Sequence, residues 1–108
     1  GGIDIPISRK CISIKVKGEH SEKRSLNPSE NNLLSKDIIW KNLETWKKDA
    51  LEALNNKGPL KDPLIWNAGN YLWLCGKAKN ISEGILYAKE AIESGHAKET
   101  LKKLYRKI

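Results

Sequence analysis

Apolar and polar residues alternate near the start of the chain, which predicts extended structure there. An apolar side chain stands at every second position of residues 12–16, namely Ile12, Ile14 and Val16. This period of two predicts a half-buried strand. Residues 18–20 are of types common in turns, and residues 22–26 can form a short strand that pairs with the first. The isoleucines of residues 3–7 show the same period, although a proline interrupts it.

The pattern changes to a helical period after residue 34, following at most one helical turn over residues 29–34. Ser35 or Asp37 is suited to cap a long helix, in which apolar residues recur every three or four positions. These positions are Ile39, Leu43, Trp46, Ala50 and Leu54. The run from Asn55 to Pro59 combines asparagine, glycine and proline, and therefore predicts the end of this helix.

A helical hairpin is predicted between residues 62 and 97. Asp62 is expected to cap its first helix, with Pro63 at the first helical position and Gly76 as the C-terminal stop. Ser82 is expected to cap its second helix.

Ile81 and Leu86 are placed to form a hydrophobic staple at the start of the second helix, which is expected to end at Ser94-Gly95. A last helix is predicted from Lys98 to about Lys107. Its apolar face consists of Leu101, Leu104, Tyr105 and Ile108.

These elements predict an α+β fold, with an N-terminal β-hairpin followed by about four α-helices. We expect residues 1–108 to form a single, partial domain. Within it, residues 1–34 form the strand and hairpin segment and residues 35–108 the helical segment.

The chain is strongly basic, with 20 lysines and arginines against 13 acids and a net charge of +7. Most of these basic residues are lysines. A lysine-rich, AT-leaning genome explains this bias as readily as a nucleic-acid binding site does. Cys11 and Cys75 show no metal-ligand spacing, so reduced thiols in the cytoplasm are expected. The sequence has no apolar run near 18 residues and no signal-peptide pattern, so no membrane association is expected. The start at Gly1-Gly2, without methionine, favours a fragment.

Few residues have a pattern that indicates chemistry. His20 and His96 stand in polar turns without nearby ligands in sequence, and we interpret both as solvated. The four tryptophans have helical spacing, which favours a core or subunit interface over a stacking surface for bases. The basic residues at the C-terminus form either a solvated helix end or a phosphate-binding surface. They are Lys102, Lys103, Arg106 and Lys107.

The small residues of the helical hairpin stand in an irregular pattern that resembles the C-terminal signature of the anthranilate phosphoribosyltransferases. The matching residues are Asn67, Ala68, Gly69, Leu72, Gly76, Lys77, Ala78, Ser82, Glu83, Gly84, Ala88, Ala91, Ile92, Ser94, Gly95, Ala97 and Leu101. The resemblance covers roughly residues 62–104 well. It implies that the chain is the C-terminal part of an α/β phosphoribosyltransferase domain from tryptophan biosynthesis.

The resemblance also implies a metal-binding role for Asp4. In the family, a Gly-x-Asp-Glu motif holds magnesium against the pyrophosphate of phosphoribosyl pyrophosphate, because hard oxygen ligands suit this cation. Here Gly2 and Asp4 match the motif, but Ile5 stands in place of the glutamate. Magnesium is therefore implied as a cofactor of a complete, active parent enzyme, and none is expected for this chain alone.

Two functions are expected from these observations. In the first, the chain is the C-terminal segment of an enzyme that transfers a phosphoribosyl group to anthranilate, and the segment has no catalytic activity on its own. The alternative is a non-catalytic relative that binds nucleic acid through its basic surface. A third possibility, an autonomous helical interaction module, has only the tryptophans in its favour.

Self-association is also expected, most simply as a symmetric dimer. An unpaired strand edge templates pairing with another chain, and exposed apolar surface seeks a partner. The residues expected to lie in the contact are Ile12, Ile14, Trp66, Tyr71, Trp73 and Leu86.

Overall fold

The computed structural model describes residues 4–106, and it confirms the α+β architecture. A two-stranded antiparallel sheet precedes a short 3₁₀ helix and four α-helices within these residues. The elements are β1 Cys11–Lys17, β2 His20–Leu26, the 3₁₀ helix Pro28–Asn31, α1 Leu43–Leu54, α2 Lys61–Leu74, α3 Ile81–Glu93 and α4 His96–Arg106. The chain divides into two compact units, one ending at Asp37 and the other beginning at Ile38.

The predicted β-hairpin is present, with Lys17 opposite His20 and Cys11 opposite Leu26. Its two-residue turn begins with Gly18, which has a φ of +63°. A positive φ at the first turn residue suits glycine because it has no Cβ to clash. The return strand therefore starts at His20, two residues earlier than predicted.

The prediction that the apolar face of β1 is half-buried is wrong. Its side chains are 62%, 63% and 69% exposed, for Ile12, Ile14 and Val16 respectively. Leu26 is buried and lies opposite Cys11, so it shares the other face of the hairpin with Ser13 and Lys15. The small core of the first unit lies under that polar face.

Residues 4–10 form no strand, so the prediction of an early strand is wrong for Ile5 and Ile7, and Ile3 lies outside the described residues. Pro6 has no amide hydrogen to donate to a neighbouring strand. Ile7 is instead buried in the core of the first unit, and its carbonyl accepts a hydrogen bond from the Ser35 amide at 3.2 Å.

The predicted long helix is confirmed at its end but not at its start. Neither Ser35 nor Asp37 caps it, because α1 begins at Leu43 after an Asn42 cap. The Asn42 side chain accepts a hydrogen bond from the Thr45 amide at 2.8 Å, which satisfies one of the free N–H groups of the first turn. The helix stops before Asn56, whose φ of +64° leaves the helical region.

The core of the second unit lies mainly between α2 and α3, which make the most extensive helix–helix contact among the described elements. Its buried apolar side chains are Ala53, Ile65, Trp66, Trp73, Ala78, Ile85, Ala88 and Ile92. Trp66 and Trp73 are therefore core residues, one of the two interpretations that the helical spacing favoured, whereas Trp40 and Trp46 are 64% and 50% exposed and lie outside the core. The inclusion of Trp66 and Trp73 in an exposed self-association surface was wrong, since they are 1% and 4% exposed.

Candidate functional site

The first helix of the hairpin, α2, starts earlier than its sequence signals predicted. It begins at Lys61, so Asp62 and Pro63 lie inside the first turn and neither is the cap. Leu60 occupies the cap position and makes no side-chain capping bond. Gly76 ends the helix as predicted, because its φ of +79° is the left-handed conformation that closes a helix C-terminus.

The second helix, α3, is capped by Asn80 and not by Ser82. The Asn80 side chain accepts a hydrogen bond from the Glu83 amide at 2.8 Å. The Glu83 carboxylate reaches back to the Lys79 amide at 3.3 Å, so the two side chains satisfy amides at the helix start. Ile81 is already helical, so the predicted staple with Leu86 does not form in its usual positions. The predicted stop at Ser94-Gly95 is confirmed.

Two glycines bring the backbones of α2 and α3 into direct contact. A Cβ added to Gly84 would lie 2.1 Å from the carbonyl oxygen of Gly69. A Cβ added to Gly69 would lie 2.7 Å from Ile85 Cγ1 and 2.8 Å from the Ile85 amide nitrogen. Only glycine fits at either position without separating the helices. The sequence pattern singled out both glycines but did not reveal that they face each other.

Asn70 is a polar side chain in this contact region that the sequence patterns did not single out. It is fully buried on α2, beside Gly69. Its Nδ2 donates a hydrogen bond to the Trp66 carbonyl at 2.8 Å, one helical turn earlier. Its Oδ1 has no hydrogen-bond partner in the described part of the chain. Asparagine hydrogen-bonded to its own helix gives no periodic signal from which sequence analysis could have found it.

The exposed side of α3 holds a carboxylate–phenol pair. The Tyr87 hydroxyl donates a hydrogen bond to Glu83 Oε1 at 3.1 Å. This bond and the negative charge of Glu83 raise the pKa of Tyr87 above 10.0, with smaller contributions from burial and from Glu90. A phenol whose pKa is raised stays protonated at neutral pH, so Tyr87 remains the donor in its hydrogen bond to Glu83.

Asp4 lies at the edge of the described residues and is exposed. Ile5 beside it supplies no carboxylate, and magnesium is usually held by one or two carboxylates together with substrate phosphates. No group of three or more histidine, cysteine, aspartate or glutamate side chains within residues 4–106 could hold a metal ion. The role of Asp4 in holding magnesium therefore stays a prediction.

The basic end of the chain forms helix α4, which begins at His96, two residues before the predicted start. Lys102, Lys103 and Arg106 are exposed on it, and Lys107 lies outside the described residues. The Lys102 ammonium is 3.2 Å from the Glu99 carboxylate, an exposed pair of small energetic value. Lys103 and Arg106 stand in the last turn of the helix, where cations interact favourably with the helix dipole.

The remaining sequence candidates are two cysteines and two histidines. Cys11 and Cys75 are both free thiols, on β1 and after α2 respectively. His20 and His96 are exposed, the first at the start of β2 and the second at the start of α4. In the part of the chain that the structure describes, the helices are too short and too polar to cross a membrane.

The sequence is similar to curated anthranilate phosphoribosyltransferases. It is 46% identical to the enzyme of Polynucleobacter necessarius over 61 residues, which is 56% of this chain and 18% of the relative. With the Thiobacillus denitrificans enzyme the identity is 35% over 91 residues, 81% of this chain and 26% of the relative. With the Methanobrevibacter smithii enzyme it is 35% over 68 residues, 62% of this chain and 20% of the relative.

No protein-family profile matches the sequence. The chain spans between 18% and 26% of the length of these three relatives, and the matches fall in their C-terminal part. The Gly69–Gly84 contact gives a physical reason for two of the small residues that carry the resemblance. The resemblance is confirmed: the chain is related to the C-terminal part of the anthranilate phosphoribosyltransferase family.

Proposed function

We propose that the chain is the C-terminal structural segment of an anthranilate phosphoribosyltransferase-like protein and is not catalytic on its own. The observation that carries the proposal is the 35% identity to the Thiobacillus denitrificans enzyme across 81% of this chain. The reaction joins the ribose of phosphoribosyl pyrophosphate to the amine of anthranilate and belongs to tryptophan biosynthesis. In this role, the helical hairpin is a rigid part of the scaffold that holds catalytic groups supplied by other segments.

The geometry of the described residues supports a scaffold role. The backbones of the two hairpin helices pack directly against each other at Gly69 and Gly84. The polar side chains at the start of α3 accept hydrogen bonds from the backbone amides there. Transfer of a phosphoribosyl group requires the diphosphate to be positioned and its developing charge stabilised.

The chain alone is expected to give no turnover with phosphoribosyl pyrophosphate, magnesium and anthranilate. The Thiobacillus denitrificans enzyme serves as the positive control. A chimera in which this chain replaces the matching C-terminal part of that enzyme should fold and keep its turnover, because a scaffold segment supplies no catalytic group. The expected change in the activation barrier is below about 1.4 kcal/mol, so turnover should stay within about tenfold of the parent enzyme.

Either of two results would contradict the scaffold proposal. One is formation of phosphoribosyl anthranilate by the purified chain, abolished by the variant Asp4→Asn, which would make Asp4 part of an active site. The other is a chimera that folds, as shown by its circular dichroism and melting temperature, and yet has no activity. That result would indicate that this segment has diverged from the scaffold of the enzyme.

A second candidate function, nucleic-acid binding, is favoured by one observation. Helix α4 carries Lys98, Lys102, Lys103 and Arg106 against the single acid Glu99, a net charge of +3 within His96–Arg106. A cluster of basic side chains along one helix is typical of proteins that bind the phosphates of nucleic acids.

If α4 binds nucleic acid through about four phosphates, affinity should fall about 100-fold between roughly 50 and 200 mM salt. Reversing the charge of Lys102, Lys103, Arg106 and Lys107 should abolish the complex in a fluorescence-anisotropy titration. The matched control reverses Lys10, Lys17, Lys23 and Lys36, four exposed lysines elsewhere, and thereby gives the same net charge. Equal losses in both variants would indicate a general charge effect. No complex at micromolar protein in low salt would exclude α4 as a binding surface.

A further inference from the structure

The backbone before α1 contains a stretch that no regular structure holds. Residues 33–42 lie in neither a helix nor a strand, and residues 34–44 are all exposed. Within this stretch, residues 36–41 make no backbone–backbone hydrogen bond to another described residue. Proteolytic cleavage concentrates where the backbone is exposed and lacks hydrogen bonds.

Both ends of this stretch are anchored. Before it, the Ser35 amide donates a hydrogen bond to a carbonyl of the first unit, and the Asp37 carboxylate accepts one from the Ser8 hydroxyl. After it, Asn42 caps α1. The backbone is therefore free of such contacts with described residues over residues 38–41, which we call the open segment.

Lysines in the turns between the helices have more restrained backbones. The Lys57 amide donates a hydrogen bond to the Glu52 carbonyl at 3.0 Å. The Lys77 amide likewise donates to the Leu72 carbonyl at 2.9 Å. Lys41, in the open segment, makes no backbone–backbone bond of this kind within the described part of the chain. A protease that cuts after lysine must therefore open local structure at the first two positions but not at Lys41.

The described core of the second unit lies entirely after the open segment. Its buried apolar side chains begin at Ala53 on α1 and end at Ile92 on α3. The Lys98 ammonium also donates a hydrogen bond to Asn55 Oδ1 at 2.8 Å, so α4 is tied to the end of α1 within the same fragment. A cut before Asn42 therefore removes no side chain of this core.

We propose that the open segment is a proteolytic cleavage site of this chain and that the helical fragment after it stays folded. Hydrolysis of the peptide bond between Lys41 and Asn42 consumes one water molecule and leaves a carboxylate on Lys41 and an ammonium on Asn42. Trp40 is exposed directly before Lys41, so proteases that cut after lysine and those that cut after aromatic residues both find a suitable side chain here. Because the free backbone defines the site, both kinds of enzyme should cut the same segment.

Limited proteolysis of the full chain with trypsin or chymotrypsin, followed over time by mass spectrometry, tests the site. Trypsin should first give fragments 1–41 and 42–108, and chymotrypsin should first give 1–40 and 41–108, apart from trimming at the chain ends. The chain has 20 lysines and arginines, so a first tryptic cut confined to one of them is a selective result. The purified fragment 42–108 should keep its helical circular dichroism and a cooperative thermal transition, because it contains the whole described core of the second unit.

The variant Lys41→Gln should slow the first tryptic cut at least about tenfold, because lysines in helices, strands and hydrogen-bonded turns require local opening before cleavage. It should leave the chymotryptic cut after Trp40 within about twofold, since the backbone of the segment is unchanged. The matched control Lys36→Gln precedes the open segment and should leave both rates within about twofold. A first cut outside the open segment by either enzyme, or a fragment 42–108 without cooperative unfolding, would overturn the proposal.

Discussion

The variant Gly84→Ala is expected to destabilise the helical unit by about 2 kcal/mol. Its new methyl carbon would lie 2.1 Å from the Gly69 carbonyl oxygen, and this obstacle is backbone and cannot rotate away. The two helices must separate, which loosens the packing around Trp66 and Ile85. Overpacking of this kind costs about 1–3 kcal/mol or more, and the better helix propensity of alanine offsets about 1 kcal/mol.

Urea unfolding followed by circular dichroism measures this difference in the free energy of unfolding. Gly69→Ala should have a similar cost, because its methyl carbon would meet Ile85 at 2.7 Å. The double variant should cost less than the sum of the two, since the first substitution already separates the helices. The control Glu90→Ala changes an exposed position on the same helix and should stay within about 0.5 kcal/mol. A Gly84→Ala protein as stable as this control would mean that the helices do not cross at these glycines.

The variant Trp66→Ala is expected to have the largest effect on folding, a loss of about 3–5 kcal/mol. Trp66 is 1% exposed and is the largest fully buried side chain in the described residues. Removing it takes away apolar contacts and leaves a cavity that the paired helices cannot easily fill. Small domains have about 5–15 kcal/mol of stability, so this variant should be partly or wholly unfolded at room temperature.

The aromatic ring of Tyr71 provides a control on the same helix, because it is 49% exposed. Tyr71→Ala should lower the free energy of unfolding by no more than about 1 kcal/mol. Both variants are compared by thermal unfolding with the same optical signal. Equal effects at Trp66 and Tyr71 would contradict the burial described for α2 and would place the core on a different face of that helix.

The sequence predicted the kinds of structure and most of their ends. The alternation over residues 11–17 predicted β1. The helical spacing of the four tryptophans favoured a core or an interface, and of these Trp66 and Trp73 are buried. The glycines after α2 and α3 predicted where those helices stop. These signals are local, because a left-handed turn or a period of two depends on the residue and its neighbours alone.

The starts of the helices were predicted less well, because several residues can serve as a cap. Asp62 and Ser82 are good caps by type, yet α2 begins before Asp62 and α3 is capped by Asn80. Likewise α1 is capped by Asn42, although Ser35 and Asp37 come earlier. Cap preferences differ by tenths of a kcal/mol, so packing of the helix that follows decides which candidate is used.

The relationship to the family could also be predicted from the sequence alone, since the irregular small residues were sufficient to indicate it. What those residues do was decided only by the tertiary structure, which placed Gly69 against Gly84 from a different helix. The structure likewise decided that the polar face of β1, and not Ile12 and Ile14, lies over the core of the first unit. A period of two divides a strand into two faces, but which face is buried depends on the elements that pack against it.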